Sequence, residues 1–297
     1  MKRAFYPSLL GFLTLATICA ATAAEKRDLI LVAGQSNAVG FDANAAELPA
    51  DAGDKDVLFW WRCGDPPPDD HDSTSRGWTT LRPQPRANPM PKTAGVARQY
   101  GNFSQPDGGF GPEMGFARML VARERKPLAV VKAAFSGTGM TTDWRPREAG
   151  PKGACYRALL EETKGALEKA RENGIELRIR ALIWVQGESD ANAVLAPQYA
   201  KNLGEMIAAL REELGAPEMT ALVGVNTNFG NGKNTFMPVI IEQQKQLAAS
   251  LPRCAYVDTD GLSHANGAHF DTKGTLEMGA RFAEALLEAE RRRKQNP

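Results

Sequence analysis

The sequence is poor in histidine, with three in 297 residues, at positions 71, 264 and 269. Chemistry that needs an imidazole therefore has few places to find one. Cysteine is scarce too, and no CxxC pair or His/Cys cluster occurs, so no zinc site or other metal centre is expected. An excess of one charge is missing, since the formal net charge is +1. That removes the electrostatic case for nucleic acid or an anionic membrane as partner. The terminal Arg291-Arg292-Arg293-Lys294 run reads as a solvated tail. The chain has no Gly-x-Ser-x-Gly elbow around Ser36. Its glycine-rich turns lack the P-loop lysine and the dinucleotide spacing, which disfavours nucleotide binding.

Long apolar runs are also absent, with one exception at the start. Lys2 and Arg3 precede an apolar stretch from Leu9 to Ala21, and Ala21-Thr22-Ala23 is a small-residue cleavage pattern. Residues 1–23 therefore read as a secretory signal peptide, and the apolar run is short for a membrane span. A secreted or periplasmic protein is expected, with a single domain over 24–297 and no membrane insertion after cleavage. Cys19 leaves with the signal. Cys63, Cys155 and Cys254 remain, and an odd count permits at most one internal bridge.

What is present alternates. Asp28–Gly34 is a charge-free apolar run after its first residue and reads as a buried strand, followed by Val57–Trp61, Leu128–Phe135, Ile179–Val185, Thr220–Val225 and a short Ala255–Val257. Helices are expected from Glu113, from Tyr156 to the Asn173-Gly174 stop, over Pro197 to Leu214, over Pro238 to Ala249 and over Thr272 to Glu290. Strands alternating with helices imply a parallel sheet covered on both faces. Between Cys63 and Gly109 a long Pro- and Gly-rich segment reads as irregular and as a wall of the pocket, with Trp78, Tyr100 and Phe103 available to stack on a sugar face.

Three strand-to-helix turns share a type: Gly34-Gln35-Ser36-Asn37, Ser136-Gly137-Thr138-Gly139 and Gln186-Gly187-Glu188. All emerge at the carboxyl edge of the sheet, where open α/β folds bind ligands. The first offers a hydroxyl, and the others offer backbone N–H groups and an amide, which is the inventory of acyl transfer. A serine nucleophile needs a base. His71 lies among carboxylates and His264 mid-loop, whereas His269 precedes the apolar anchor Phe270 and the last helix. Ser36 with His269 is the preferred pair, with His264 in reserve.

Gly34-Gln35-Ser36-Asn37, Phe110-Gly111-Pro112-Glu113, Lys132 to Trp144, Trp184 to Asp190 and His269-Phe270, in that order, resemble the SGNH-hydrolase superfamily. Within it the chain is similar to the sialate O-acetylesterase and acetylxylan-esterase branch, carbohydrate esterase family six. The resemblance implies a three-layer α/β/α flavodoxin-like fold with a central parallel sheet. It implies a cofactor-free serine esterase that removes O-acetyl groups from a glycan or oligosaccharide through an acetyl-serine. Ser36 would be nucleophile and His269 base. The N–H groups of Ser36 and Gly137 and the side chain of Gln186 would form the oxyanion site. Glu188, Asp190 and Asn37 are expected to brace turns. The branch places an aspartate three residues before the histidine, where this chain has Asn266. Asn266 itself, Asp258 or Asp260 are then the candidates to orient His269, while Asp271 is expected to cap the last helix. The rival expectations are a non-catalytic carbohydrate-binding protein on the same scaffold and a lipid or thioester hydrolase.

Overall fold

The computed structural model describes Met1 and residues 24–67, 72–87, 101–150 and 152–295. The signal segment, His71 and Tyr100 lie outside them. Six strands form one parallel sheet: β1 (Glu25–Gly34), β2 (Val57–Gly64), β5 (Leu128–Phe135), β6 (Ile175–Val185), β7 (Thr220–Gly224) and the short β8 (Cys254–Tyr256). Two short strands, β3 (Ser73–Thr74) and β4 (Thr79–Thr80), add to β2 in antiparallel sense. The order is β3-β2-β5-β1-β6-β7-β8, with β4 also on β2.

The central position of β1 follows from its composition. Leu29 to Ala33 have no exposed surface, and with period two they feed two different cores. Leu29, Leu31 and Ala33 pack with α3 (Ala154–Glu172), α4 (Tyr199–Glu213) and α5 (Met237–Ser250). Ile30 and Val32 pack on the other face with α2 (Glu113–Glu124) and α6 (Thr272–Gln295). This is the expected three-layer α/β/α architecture. From β1 the chain builds outward to β5 and β2 on one side and to β6, β7 and β8 on the other. The reversal beside β1 opens a crevice at its carboxyl end.

Departures from the sequence expectation are local. The segment after β2 is less irregular than its Pro and Gly content suggests, because β3 and β4 pair with the outer edge of β2, which would otherwise be open. Trp78 and Phe103 are not among the residues that line the pocket over Ser36. The Trp78 indole donates to the Ala166 carbonyl at 3.0 Å and meets Trp60 edge-on, while Phe103 is buried against the sheet. Large aromatic surfaces gain more from burial than from display. Cys63, Cys155 and Cys254 are not disulfide-bonded. Asp271 does cap α6, with Oδ1 accepting the Gly274 N–H at 2.8 Å.

Candidate active site

Strand β1 ends on Gly34, whose φ is +138°, and a Cβ there would lie 2.1 Å from the Val185 carbonyl oxygen. Only glycine permits that approach of β1 to β6. Ser36 then opens a four-residue helical turn, α1 (Ser36–Val39), closed by Gly40 at φ +83°. A Cβ on Gly40 would fall 1.7 Å from the Phe110 carbonyl oxygen. The left-handed residue folds the chain back, and the next two residues, Phe41 and Asp42, return to the neighbourhood of Ser36.

His269 reaches the same place from the far end of the chain. Its loop is narrowed by the Ala265 N–H bonding to the His269 carbonyl at 3.0 Å. Asn37 grips it from the other side, with Oδ1 accepting the Phe270 N–H at 3.2 Å and Nδ2 donating to the Ala268 carbonyl at 3.1 Å. One amide therefore spans the peptide groups on both sides of His269. Asn226 donates to the same Ala268 carbonyl at 3.0 Å, and Glu188 Oε1 accepts from Asn37 Nδ2 at 2.8 Å. The bracing role expected for Asn37 and Glu188 is thus seen as a network across three turns.

The Ser36 hydroxyl lies 2.9 Å from His269 Nε2, and His269 Nδ1 lies 2.7 Å from Asp42 Oδ2. Partial burial alone would raise the Asp42 carboxyl, but hydrogen bonds from His269, Ser104 and Asn266 outweigh it and bring it down to about 2. An ionised carboxylate only accepts, so Nδ1 carries the proton and Nε2 is left to accept from Ser36. The Phe41 ring covers the imidazole, with centroids 4.8 Å apart.

Asp42 is the residue that sequence reasoning misses. That reasoning places the orienting group near His269 in the chain, and none of its three candidates bonds to the imidazole itself. Asn266 does not touch the ring; its Oδ1 accepts the backbone N–H groups of Ala268 and His269 at 2.8 and 3.0 Å. Asp258 Oδ1 accepts the Asp260 N–H at 3.0 Å, and the carbonyls of both residues bind Arg281, away from the imidazole. The one signal for Asp42 is Gly40 behind a very short helix, which returns the chain on itself. His264, the reserve base, is 2.9 Å from Asn226 Oδ1 and packs on Phe270, so it supports the loop.

A pocket of about 340 Å³ opens over Ser36 and His269, lined also by Gln35, Phe41, Ser136, Gly137, Glu188, Ser189 and Phe229. Gly137 lines this pocket. Gln186 does not: it has no exposed surface, and its Nε2 donates to the Thr138 carbonyl at 3.0 Å and to Asp190 Oδ2 at 2.6 Å. Its two N–H groups are committed beneath the pocket, where Tyr199 also donates to its Oε1 at 2.8 Å. The pocket's side-chain amide is instead Gln35. Burial raises the carboxyls of Glu188 and Asp190 against the hydrogen bonds that hold them. Among the described residues no group of His, Cys, Asp and Glu could hold a metal ion.

A hydroxyl, an imidazole and a carboxylate in line at the carboxyl edge of a parallel sheet, inside a three-layer α/β/α fold, is the arrangement of an ester hydrolase. The sequence profile of the carbohydrate esterase, sialic acid-specific acetylesterase family matches residues 26–288. The chain belongs to that family and is a carboxylic ester hydrolase of the carbohydrate acetylesterase kind. Solved structures share the fold. A protein from Arabidopsis thaliana superposes with a TM-score of 0.64 at 21% identity, over 88% of this chain and 98% of that one. NanS does so with a TM-score of 0.59 at 17% identity, over 91% and 99%. A carbohydrate acetylesterase from Xanthomonas citri gives 0.52 at 20% identity, over 88% of this chain and 56% of that longer one. A search of curated protein sequences found no match.

Proposed function

We propose that the protein removes O-acetyl groups from carbohydrate through an acetyl-serine. The observation that carries this reading is the unbroken line from the Ser36 hydroxyl through His269 to Asp42, at 2.9 and 2.7 Å, facing a pocket of about 340 Å³. Ser36 Oγ attacks the acetyl carbonyl carbon while its proton passes to His269 Nε2. The bond to the sugar oxygen then breaks, and His269 returns the proton to that oxygen. A water, deprotonated by the same imidazole, attacks the acetyl-serine and releases acetate, restoring Ser36. Asp42 fixes the tautomer and offsets the imidazolium charge. The backbone N–H groups of Ser36 and Gly137, which line the pocket with the Gln35 side chain, would donate to the developing oxyanion.

The family description makes O-acetylated sialic acid the first substrate to test, with acetylated xylo-oligosaccharides beside it. Acetate release from both, with wild type and Ser36→Ala in parallel, decides the matter. Ser36→Ala is expected to lose release and labelling by a fluorophosphonate together. Glycan binding by a wild type that neither labels nor releases acetate would mean a lectin-like protein, and preference for long-chain esters a lipid hydrolase. The order of basic, apolar and small residues in 2–23 supports export, checked by the mass of the mature amino terminus.

A further inference from the structure

Asn266 is a sequence candidate for orienting the imidazole, yet its side chain stops short of the ring. Its two polar atoms are divided between the two ends of His269. Oδ1 accepts the His269 backbone N–H at 3.0 Å, and Nδ2 donates at 2.7 Å to Asp42 Oδ2, the oxygen that accepts from His269 Nδ1. The contacts close a ring: Asn266 to the His269 backbone, through the imidazole to Asp42, and back to Asn266.

We infer that Asn266 is a positioning residue whose amide locks the Asp42 carboxylate onto His269. The inference rests on the reading of Asp42 given above. Three donors converge on Asp42: His269 Nδ1, Ser104 Oγ and Asn266 Nδ2. A carboxylate at 266 has no N–H to give, and it would face an ionised Asp42 at contact distance, where like charges raise one of the two carboxyls. Oδ2 of Asp42 accepts from His269 Nδ1 and from Asn266 Nδ2 at once, which suits a carboxylate oxygen at 42 and a donor at 266. The carboxylate at 266 would still accept both backbone N–H groups of its loop. The charged groups that face His269 are Asp42, from the turn after α1, and Glu188, from the turn after β6. A new carboxylate at 266 would add to their field and favour the imidazolium.

The test uses the full chain, with kcat, KM and their pH dependence measured on an acetyl ester and folding checked by thermal unfolding. Asp42→Asn is expected to lower kcat by about 10²- to 10⁴-fold, since the tautomer is no longer enforced. Asn266→Asp keeps an acceptor for the two backbone N–H groups of the loop but loses the donor to Asp42, and is expected to lower kcat about tenfold, the scale of one lost charge-assisted contact. The same variant supplies a second reading: KM unchanged and the acid limb of kcat/KM displaced to higher pH. An Asn266→Asp enzyme with wild-type kcat and an unmoved acid limb would overturn the inference for Asn266 and leave Asp42 in place. An Asp42→Asn enzyme as fast as wild type would instead remove the reading of Asp42, on which this one depends.

Discussion

At the amino ends of the strands, Arg180 is nearly buried among three carboxylates. Its guanidinium donates to Glu290 at 2.7 and 2.9 Å, to Glu124 at 2.5 Å and to Asp28 at 3.2 Å. At the carboxyl ends, the buried Glu188 Oε2 and the Ser136 hydroxyl have no hydrogen-bond partner among the described residues, and Glu188 and Ser136 both line the pocket. One end uses its charges up on one another. The other orders its polar groups and leaves a hydroxyl and an imidazole facing a cavity. A fully paired cluster fastens β1, β6, α2 and α6 together, whereas the pocket end keeps polar groups open to a cavity.

Substitutions at the two ends should therefore separate activity from stability. The largest effect is expected at Ser36→Ala, with kcat/KM down by at least about 10³-fold and the unfolding midpoint nearly unchanged, read by acetate release and thermal unfolding. Arg180→Met is expected to do the opposite. It strands three carboxylates and should cost about 3 kcal/mol in denaturant unfolding, while kcat below the transition stays at the wild-type value. A fall in kcat there would erase the contrast between the ends. Asn37→Ala sharpens it from the active side. Losing the bracket around His269 should lower kcat about tenfold with KM little changed, the scale of about 1.4 kcal/mol of transition-state stabilisation.

The smallest effect is a slope. Burial raises the Glu188 carboxyl above its ordinary value. As pH rises through the usual carboxylate range near about 4.3, the unfolded chain releases this proton before the folded one does. The unfolded state then binds fewer protons, so Glu188 subtracts from stability with increasing pH until the folded carboxyl ionises too. Asp42, lowered to about 2, works the other way: its contribution is present above about 4 and disappears as pH falls through 2. Glu188→Gln should remove the first trend and Asp42→Asn the second, both read by denaturant unfolding across pH.

The fold is legible in the sequence because period-two burial and strand–helix alternation are properties of neighbouring residues. Leu128–Phe135 is found with the expected limits, and β6 extends only at its amphipathic start. Ser36 and His269 can be paired because so few histidines compete. Asp42 is invisible there, since its proximity to His269 depends on how sharply Gly40 turns the chain. Gln186 is misplaced for a similar reason: with Gly187 at φ +155°, the turn sends the amide down to Tyr199 and Asp190. Neither the direction of a turn nor the side on which an amide lands has a sequence period.

Ser36 and Asp42 share one short stretch of backbone, from Gly34 to Asp42, and His269 is delivered separately by the loop before α6. Most of the machinery thus travels as a cassette. Grafting that loop between related scaffolds requires matching a single imidazole to a preassembled socket, so recombination could vary the rim around the pocket while leaving the reactive assembly in register.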